Sequence, residues 1–318
     1  MWKETFLQYL RDSTLQISYL QEAISLKHQH LPKTIYKYRG DNSYSRDNLF
    51  NDTIWLASPE SYNDPFDCLL SFSAAGMSAA FEKGLIDPFV TGYHLEISPE
   101  KVNEAKLSAR PLETLSQNIT SDGKPGQNPR QIAEFISRTA PKHIQTTVDF
   151  LQTLRSNMKL CSFSTVPDSI LMWSHYSSNH QGFCIEYDIR KFAPRDAFLK
   201  NLCPVVYSKD VFDLTTWAEA LVTGKREEFN GLFPFLAVLQ KFEGWAYENE
   251  WRYLQFQDAL NPDRARGVPT PSRVLLGAKM PESNKSELLE ICQAKKISVW
   301  QMHVSYSKYE LQELPLSP

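Results

Sequence analysis

Strand-like runs in this sequence are separated by connections of very uneven length, and that spacing restricts the possible folds more than any other feature. The regular alternation of strand and helix that builds a doubly wound parallel sheet is absent. The sequence therefore predicts an α+β fold with a mixed, mainly antiparallel sheet. The predicted strands, rich in β-branched and aromatic residues, are 35–38, 53–57, 159–163, 182–187, 204–207, 250–256, 273–277 and 297–304.

Two helical parts accompany these strands. Residues 2–27 carry apolar side chains at three- to four-residue steps before Pro32, which predicts an N-terminal helix within residues 1–31. Residues 74–157 are dominated by helical patterns and are predicted to be a helical insertion between strands of one sheet. We expect a single domain over residues 1–318. Shorter helices are predicted at 45–51, 210–222, 235–243 and 283–295.

Composition narrows the class of protein. Hydrophobic residues make up 42% of the chain and charged residues 22%, which is an ordinary globular balance. The formal net charge is −3, so no overall positive field indicates nucleic-acid binding. We expect no secretory leader and no membrane span, because no apolar run approaches the roughly 18–20 residues that a span needs. Five cysteines without a Cys-x-x-Cys pair favour a reducing compartment, so we expect a cytoplasmic protein.

The first candidate motif is the strand IYKYRG. Alternation along a strand places Tyr36 and Tyr38 on one face and Lys37 and Arg39 on the other. Arg39 stands at the strand end before Gly40, where its guanidinium could bind a phosphate or carboxylate through two parallel hydrogen bonds. The alternative is an ordinary surface arginine that lays its stem along apolar surface.

The second motif is the loop SPESYNDPFDC, which is dense in turn-forming residues. Asn63, Asp64 and Asp67 surround a proline, and such residues commonly stabilise turns and cap helices. The same oxygens could hold a metal ion, although two carboxylates on a loop are a weak metal signature. Both interpretations of this loop stay open.

The third motif runs from Cys161 to Tyr187 and concentrates aromatic and hydroxyl groups between two strands. Ser164 ends one strand, and Trp173, His175 and Tyr176 follow in a loop, a combination typical of a pocket that stacks on a ring. A histidine pair five residues apart does not share one helix face, so a zinc site is not expected.

The fourth motif is EGWAYENEWRYLQF. In an extended segment Glu248 and Glu250 share a face with Arg252, while Trp251 and Tyr253 take the opposite, buried face. Paired carboxylates beside aromatic residues could orient a sugar hydroxyl and stabilise a cationic centre. The alternative is a solvated strand edge on which the glutamates pair with the arginine.

Taken together, these blocks resemble the bacterial domain-of-unknown-function family 2971, because they occur in that family's order. The family supplies no established activity. The sequence departs from the family pattern at Cys-Ser-Phe-Ser, which has one residue more than the usual Cys-Phe-Ser. The blocks that carry the resemblance are YKYR (36–39), NDPFD (63–67), CSFS (161–164), MWSHY (172–176) and ENEWR (248–252).

A second resemblance is to ADP-ribosyltransferase-like proteins, which have an early Arg or His, a middle Ser or Tyr and a late Glu. It implies that NAD is the substrate, that Arg39 holds it, and that Glu250 stabilises the oxocarbenium-like transition state beside Glu248. The catalytic residues implied are therefore Glu250, Arg39 and Glu248. The NAD-binding residues implied are Tyr38, Ser164, Trp173, His175, Tyr176, Asn63, Asp64 and Arg252.

Three hypotheses of function remain. The first, which we favour, is an ADP-ribosyltransferase or NAD hydrolase acting in bacterial conflict, such as phage defence or toxin delivery. The second hypothesis is a metal-dependent nuclease that uses Asp64, Asp67, Glu248, Glu250 and His175. The third is a non-catalytic sensor or interaction module that binds a nucleotide. The acceptor of the transferred group and the oligomeric state stay open.

These interpretations share one structural expectation. Arg39, Asn63, His175 and Glu250 should meet at one concave site, because the motifs are far apart in sequence and recur in a fixed order. The helical stretch 80–157 should contribute little to that site, since it lacks the aromatic and hydroxyl clustering of its flanks.

Overall fold

The secondary structure confirms the predicted α+β class. The computed structural model of the protein describes residues 2–12, 17–120, 128–193, 196–224, 229–257 and 264–316. Its helices are α1 Trp2–Asp12, α2 Ile17–Gln29, α3 Ser43–Phe50, α4 Ala74–Gly92, α5 Pro99–Leu107, α6 Pro111–Ser116, α7 Pro129–Ser156, α8 Ile170–Tyr176, α9 Ala197–Asn201, α10 Thr215–Val222, α11 Phe233–Ala237 and α12 Glu282–Lys295.

The strands follow the predicted pattern closely, and short 3₁₀ turns at Pro59–Ser61, Ile189–Lys191 and Glu243–Glu248 connect some of them. The strands are β1 Thr34–Arg39, β2 Thr53–Trp55, β3 Leu70–Ser71, β4 Met158–Ser164, β5 Phe183–Asp188, β6 Leu202–Pro204, β7 Val206–Ser208, β8 Phe212–Asp213, β9 Gln240–Phe242, β10 Glu250–Phe256, β11 Ala265–Gly267, β12 Arg273–Leu276, β13 Ser298–Val304 and β14 Leu311–Pro315.

One large sheet organises the described residues. Its eight strands have the order β14-β13-β12-β5-β1-β4-β10-β6. Neighbouring strands are antiparallel except β12 and β13, which are parallel and are connected through α12. The prediction of a mixed, mainly antiparallel sheet is therefore confirmed. Strand β10 lies between β4 and β6, so the alternative of a solvated strand edge for the fourth motif is wrong.

The sheet has an opening between β1 and β4, and this opening positions the candidate site. Strand β1 pairs with β5 along its whole length, but it pairs with β4 through Tyr36 and Ser164 alone. Further along β4, Leu160 instead exchanges both backbone hydrogen bonds with Ala57, at 2.8 and 2.9 Å. The Lys37 ammonium spans the gap and donates to the Ser162 carbonyl at 2.8 Å.

Apolar side chains cover both faces of the sheet. Trp251 and Phe163 belong to a core on one face, and Leu254 and Leu160 belong to a second core on the other. This alternation along β4 and β10 confirms that Trp251 packs into the interior behind Glu250. Burial of each large apolar side chain stabilises the fold by about 1.5–3 kcal/mol.

The prediction of one N-terminal helix over residues 2–27 is wrong. Helices α1 and α2 pack against each other, with the rings of Tyr9 and Tyr19 stacked at 5.9 Å. In one continuous helix these residues would lie about 15 Å apart along the axis. The apolar period continues through both helices, so it gave no sign of the break. The connecting residues 13–16 lie outside the described part of the chain.

Three further predictions of element bounds need correction. Helix α10 begins only at Thr215, after β8, and not at residue 210. The predicted helix 235–243 ends at Ala237 and is followed by β9, because residues 240–242 pair with β7. The predicted strand 204–207 is divided between β6, which pairs with β10, and β7, which pairs with β9.

The stretch 74–157 contains helices α4 to α7, and its residues 121–127 lie outside the described part. These helices have a small core of their own. The buried Glu82 carboxylate ties three of them together, since it accepts from Leu112 N at 2.9 Å and from Ser137 Oγ at 3.1 Å. None of the helices in the described ranges is both long and apolar enough to cross a bilayer.

Candidate functional site

A cleft of about 390 Å³ lies at the opening between β1 and β4. Arg39, Asn63, His175 and Glu250 all line it, which confirms the expectation that these distant segments meet. As expected, the described lining residues include none from the helical stretch 80–157. The lining residues come from segments within 36–39, 55–57, 61–67, 160–164, 172–176 and 241–250.

The floor of the cleft is a buried cluster of charges centred on Lys241. Its ammonium lies 2.6 Å from Glu248 Oε2, 2.9 Å from Glu250 Oε2 and 3.6 Å from Asp67 Oδ2. All four side chains are almost completely buried. At these distances and in these surroundings each attraction is much stronger than it would be in water.

Arg252 completes this cluster from beneath. Its Nε donates to Glu250 Oε1 at 2.7 Å, and its Nη2 donates to both oxygens of Asp67 at 2.9 and 2.7 Å. Nη1 donates to the Val238 carbonyl at 2.7 Å. The guanidinium is fully buried and does not line the cleft, so the predicted role of Arg252 in binding NAD is corrected to one of holding the two carboxylates.

A left-handed residue sets the relative position of the two glutamates. The prediction of one extended segment is wrong, because Glu248 ends a 3₁₀ turn and only Glu250 begins β10. Between them Asn249 has φ of 45°, a conformation that asparagine tolerates better than most residues. This turn lets both carboxylates reach the same ammonium.

The environment shifts the pKa values of the two glutamates in opposite directions. Burial opposes ionisation of Glu250, but the Arg252 guanidinium and the Lys241 ammonium outweigh it and hold its pKa well below the usual range. Burial and the neighbouring Glu250 charge raise the pKa of Glu248, against the attraction of Lys241. Glu250 is therefore held as a carboxylate, while Glu248 takes up a proton more readily than an ordinary glutamate.

Helix α8 brings two of the predicted residues to the cleft. The Tyr176 hydroxyl donates to Glu248 Oε1 at 2.7 Å, and burial followed by the Glu248 charge raises the pKa of the tyrosine. His175 is exposed at the mouth, and its ring packs nearly perpendicular to that of Trp245, with the two ring centres 6.1 Å apart. Ser169 caps the helix by accepting from Met172 N.

A left-handed turn fixes the end of α8. Ser178, Asn179 and His180 all have positive φ, at 48°, 56° and 68°, which costs about 1–2 kcal/mol per residue. Among the contacts that hold the turn, His180 N donates to the Trp173 carbonyl at 3.1 Å, and Ser174 Oγ lies 3.0 Å from His180 Nε2. The turn therefore holds the preceding His175 and Tyr176 in place.

Three predicted ligand-binding residues serve instead to build the cleft wall. Trp173 is fully buried, and its Nε1 donates to the Pro167 carbonyl at 2.7 Å, so its ring offers no surface for stacking. Tyr38 packs edge-on against this tryptophan and donates to the Val166 carbonyl at 2.7 Å. Ser164 Oγ donates to the Glu248 carbonyl at 2.6 Å. Tyr38 and Ser164 line the cleft with these polar atoms already bonded.

The loop SPESYNDPFDC divides its polar residues between two tasks. Asn63 lies exposed on the cleft, and Asp67 lines its floor. Asp64 lies away from the lining, because its oxygens accept from Phe66 N at 2.9 Å and from Trp245 Nε1 at 2.6 Å. The loop thus combines the predicted turn-stabilising role with a contribution to the site.

The other end of the cleft is cationic. Arg39 lines it, and its Nε is buried without a hydrogen-bond partner. Lys37 lines it as well, and burial lowers the pKa of its ammonium. Over the described ranges, no carboxylate lies within 4.0 Å of either side chain. Because these two residues alternate with Tyr36, they enter the cleft from the sheet face opposite Glu250.

Sequence reasoning missed Lys241 and Trp55. Lys241 follows a long apolar run, and a single ammonium in such surroundings must find carboxylate partners, so a signal was present. Trp55 lies on β2, lines the cleft and is 49% exposed. Nothing in the sequence distinguished this exposed tryptophan from a buried one.

The carboxylate cluster that a nuclease would use to bind a metal ion already contains the Lys241 ammonium. The Lys241 ammonium lies where a divalent cation would have to bridge Asp67, Glu248 and Glu250. Asp64 is not part of this cluster, since its carboxylate is engaged by Trp245. Within the described part of the chain, no three His, Cys, Asp or Glu side chains are arranged to hold a metal ion.

The fold and the site define an α+β protein whose split sheet encloses a cleft, with a carboxylate cluster around Lys241 on one side and with Lys37 and Arg39 on the other. Residues 172–253 match a family model described as "Protein of unknown function (DUF2971)". This match confirms the family resemblance drawn from the sequence, and its range includes MWSHY, Lys241 and ENEWR. No curated protein and no solved structure matches the chain.

Proposed function

We propose that the cleft binds NAD and transfers its ADP-ribosyl group to an acceptor, or to water. The observation that carries this proposal is the pair Glu248 and Glu250, which share one lysine and have pKa values shifted in opposite directions. A site that separates the pKa values of two carboxylates can assign one to charge stabilisation and the other to proton transfer.

Glu250 fits the task of charge stabilisation. When the bond between nicotinamide and ribose breaks, its electron pair leaves with the nicotinamide, and positive charge develops on the ribose. A carboxylate held permanently ionised in a buried site stabilises that charge without reorganising. The hydrogen bonds from Arg252 and Lys241 fix the Glu250 carboxylate in advance.

Glu248 fits the task of proton acceptor. The acceptor oxygen forms its new bond to the ribose carbon and must lose a proton as it does so. Glu248 takes that proton, and a raised pKa brings its basicity closer to what neutral pH requires. Hydrogen bonds from Tyr176 and Lys241 orient its two oxygens.

Arg39 fits the task of holding the diphosphate. Its buried, unpartnered Nε and the absence of a carboxylate within 4.0 Å, over the described ranges, leave its charge free for an anion. Asn63 and His175 are exposed on the same cleft and can contact the ligand or the acceptor.

Release of nicotinamide from NAD tests the proposal, with Glu248→Gln as the variant. Glu243→Gln is the matched control, because Glu243 belongs to the same segment, is half exposed and does not line the cleft. We expect turnover by the wild type and the control, and a loss of about 100- to 10,000-fold in Glu248→Gln, the range typical of general acid–base groups.

Absence of nicotinamide release by the wild type, with protein, nucleic-acid and small-molecule acceptors supplied, would overturn the proposal. Two further outcomes would assign a different function to the cleft. Cleavage of nucleic acid that requires a divalent cation would favour the nuclease, and saturable NAD binding without turnover would favour the sensor.

A further inference from the structure

The cleft that Lys37 and Arg39 enter is also lined by an exposed aromatic ring. Trp55 belongs to the segment that pairs with β4 through Ala57 and Leu160, on the edge of β4 that β1 leaves free. Trp55, Lys37 and Arg39 all line the same cleft. A tryptophan that is 49% exposed inside a cleft offers an apolar face for a planar ligand.

Neither Lys37 nor Arg39 has a carboxylate within 4.0 Å in the described ranges. The Ser162 carbonyl accepts one of the three N–H donors of Lys37, and burial lowers the pKa of the ammonium. Arg39 Nε is buried and unpartnered. An anionic group bound between these side chains would supply the missing hydrogen bonds and the missing opposite charge.

We propose that the part of the cleft lined by Trp55, Arg39 and Lys37 is a subsite for a purine nucleoside diphosphate. The base stacks on Trp55, and Arg39 and Lys37 bind the phosphates. The identity of the ligand rests on the proposed function, since the ADP portion of NAD has this chemistry. The subsite assigns base recognition to Trp55, which the four sequence motifs do not contain. It also assigns a phosphate-binding role to Lys37.

This arrangement explains why the cleft passes through the sheet. The phosphates lie with Lys37 and Arg39 on one face, and the ribose to be attacked lies with Glu248 and Glu250 on the other. A ligand that spans the opening contacts the cations on one face and the glutamates on the other.

Binding of ADP, measured by calorimetry, tests the subsite without any turnover. We expect the wild type to bind ADP and Trp55→Ala to bind it at least about fivefold more weakly, which corresponds to the lower end of a base–aromatic stacking contribution. Trp55→Phe keeps a stacking ring and should recover most of the affinity. Tyr306→Ala is the control, since Tyr306 is fully exposed in a turn away from the cleft, and it should bind as the wild type does.

Loss of the cations provides a second test. Arg39→Gln and Lys37→Met should each weaken ADP binding more than adenosine binding, because they act on the phosphates. Thermal stability measured on every variant separates loss of binding from loss of folding. Trp55→Ala is suited to this comparison because half of the Trp55 side chain is already in solvent.

The outcomes separate this subsite from the proposed function. Failure of the wild type to bind ADP, or equal ADP affinity in the wild type and Trp55→Ala, would overturn the subsite even where NAD is turned over. Trp55-dependent binding of ADP by a protein that releases no nicotinamide would support the subsite and remove the proposed function.

Discussion

Lys241 and Glu250 form a buried ion pair in which Nζ lies 2.9 Å from Oε2. The two residues belong to different strands, β9 and β10, on either side of a 3₁₀ turn. Glu248, at the end of that turn, contacts the same ammonium at 2.6 Å. The chain thus folds back on itself within ten residues to place two carboxylates on one cation, and both the proposed chemistry and the predicted stability of the site depend on this arrangement.

Removal of the Lys241 charge should destabilise the protein strongly. Lys241→Met leaves Asp67, Glu248 and Glu250 buried with Arg252 as their remaining cation in the cluster. Loss of one partner from a buried ion pair costs about 3–5 kcal/mol. The free energy of unfolding from urea titration is the measurement.

Lys209→Met is the control for this substitution, because the Lys209 side chain is 78% exposed and its nearest carboxylate is 3.8 Å away. It should change the free energy of unfolding by less than about 0.5 kcal/mol. Equal stability of Lys241→Met and Lys209→Met would show that the cluster does not need the Lys241 charge.

The stability contribution of Glu250 should depend on pH in a defined direction. Its pKa is lowered in the folded protein, so the folded state binds this proton less readily than the unfolded state does. The stabilisation is therefore complete above the unfolded pKa of about 4.3 and declines as the pH falls below it. The difference in unfolding free energy between the wild type and Glu250→Gln should be constant between pH 7 and pH 5 and should shrink below about pH 4. A difference that grows on acidification would contradict the assigned direction.

Much of the fold could be predicted because alternation along strands is a local property. In β10 the order Glu250, Trp251, Arg252 correctly placed the tryptophan in the core and the arginine beside the glutamate. The same alternation correctly separated Tyr36 and Tyr38 from Lys37 and Arg39. The meeting of the four motifs was predicted from their separation in the sequence and their fixed order.

The remaining features depend on long-range pairing that no local pattern encodes. Strand β9 has three residues and exists because it pairs with β7, so the lysine it carries was assigned to a helix. Trp173 and Trp55 are the same residue type in similarly mixed surroundings, yet one is fully buried and the other half exposed. The packing of α8 against β1 buries Trp173, and without that packing the sequence could not show whether this side chain lies in the core or contacts a ligand.

The proton-accepting role that we propose for Glu248 predicts how nicotinamide release declines towards acidic pH. Nicotinamide release should rise with pH as Glu248 loses its proton, with a midpoint above the ordinary glutamate value of about 4.3. The hydrogen bond from Tyr176 favours the ionised form, so Tyr176→Phe should move this midpoint upward. A profile unchanged by Tyr176→Phe would remove Glu248 from the titration.

The close approach of β1 and β5 predicts that Gly182 cannot carry a side chain. A Cβ atom there would lie 2.1 Å from the Arg39 carbonyl oxygen and 3.0 Å from that of Ser177, so backbone must move. Gly182→Ala should therefore lower stability by about 1–3 kcal/mol and weaken ligand binding at Arg39. Gly92→Ala is the control, because nothing lies within 4 Å of its added Cβ atom. Thermal unfolding and ADP affinity are measured for both variants. Equal stability and equal ADP affinity of Gly182→Ala and Gly92→Ala would contradict the prediction.

The most direct test of the whole account is the comparison of Glu250→Gln with the wild type in nicotinamide release and in NAD affinity. The substitution preserves shape and one oxygen acceptor but removes the charge that opposes the developing cation. Turnover should fall by about 100- to 1,000-fold, which corresponds to roughly 3–4 kcal/mol, while NAD affinity changes little, because the charge acts in the transition state. A folded Glu250→Gln variant that turns over NAD as fast as the wild type would contradict the account.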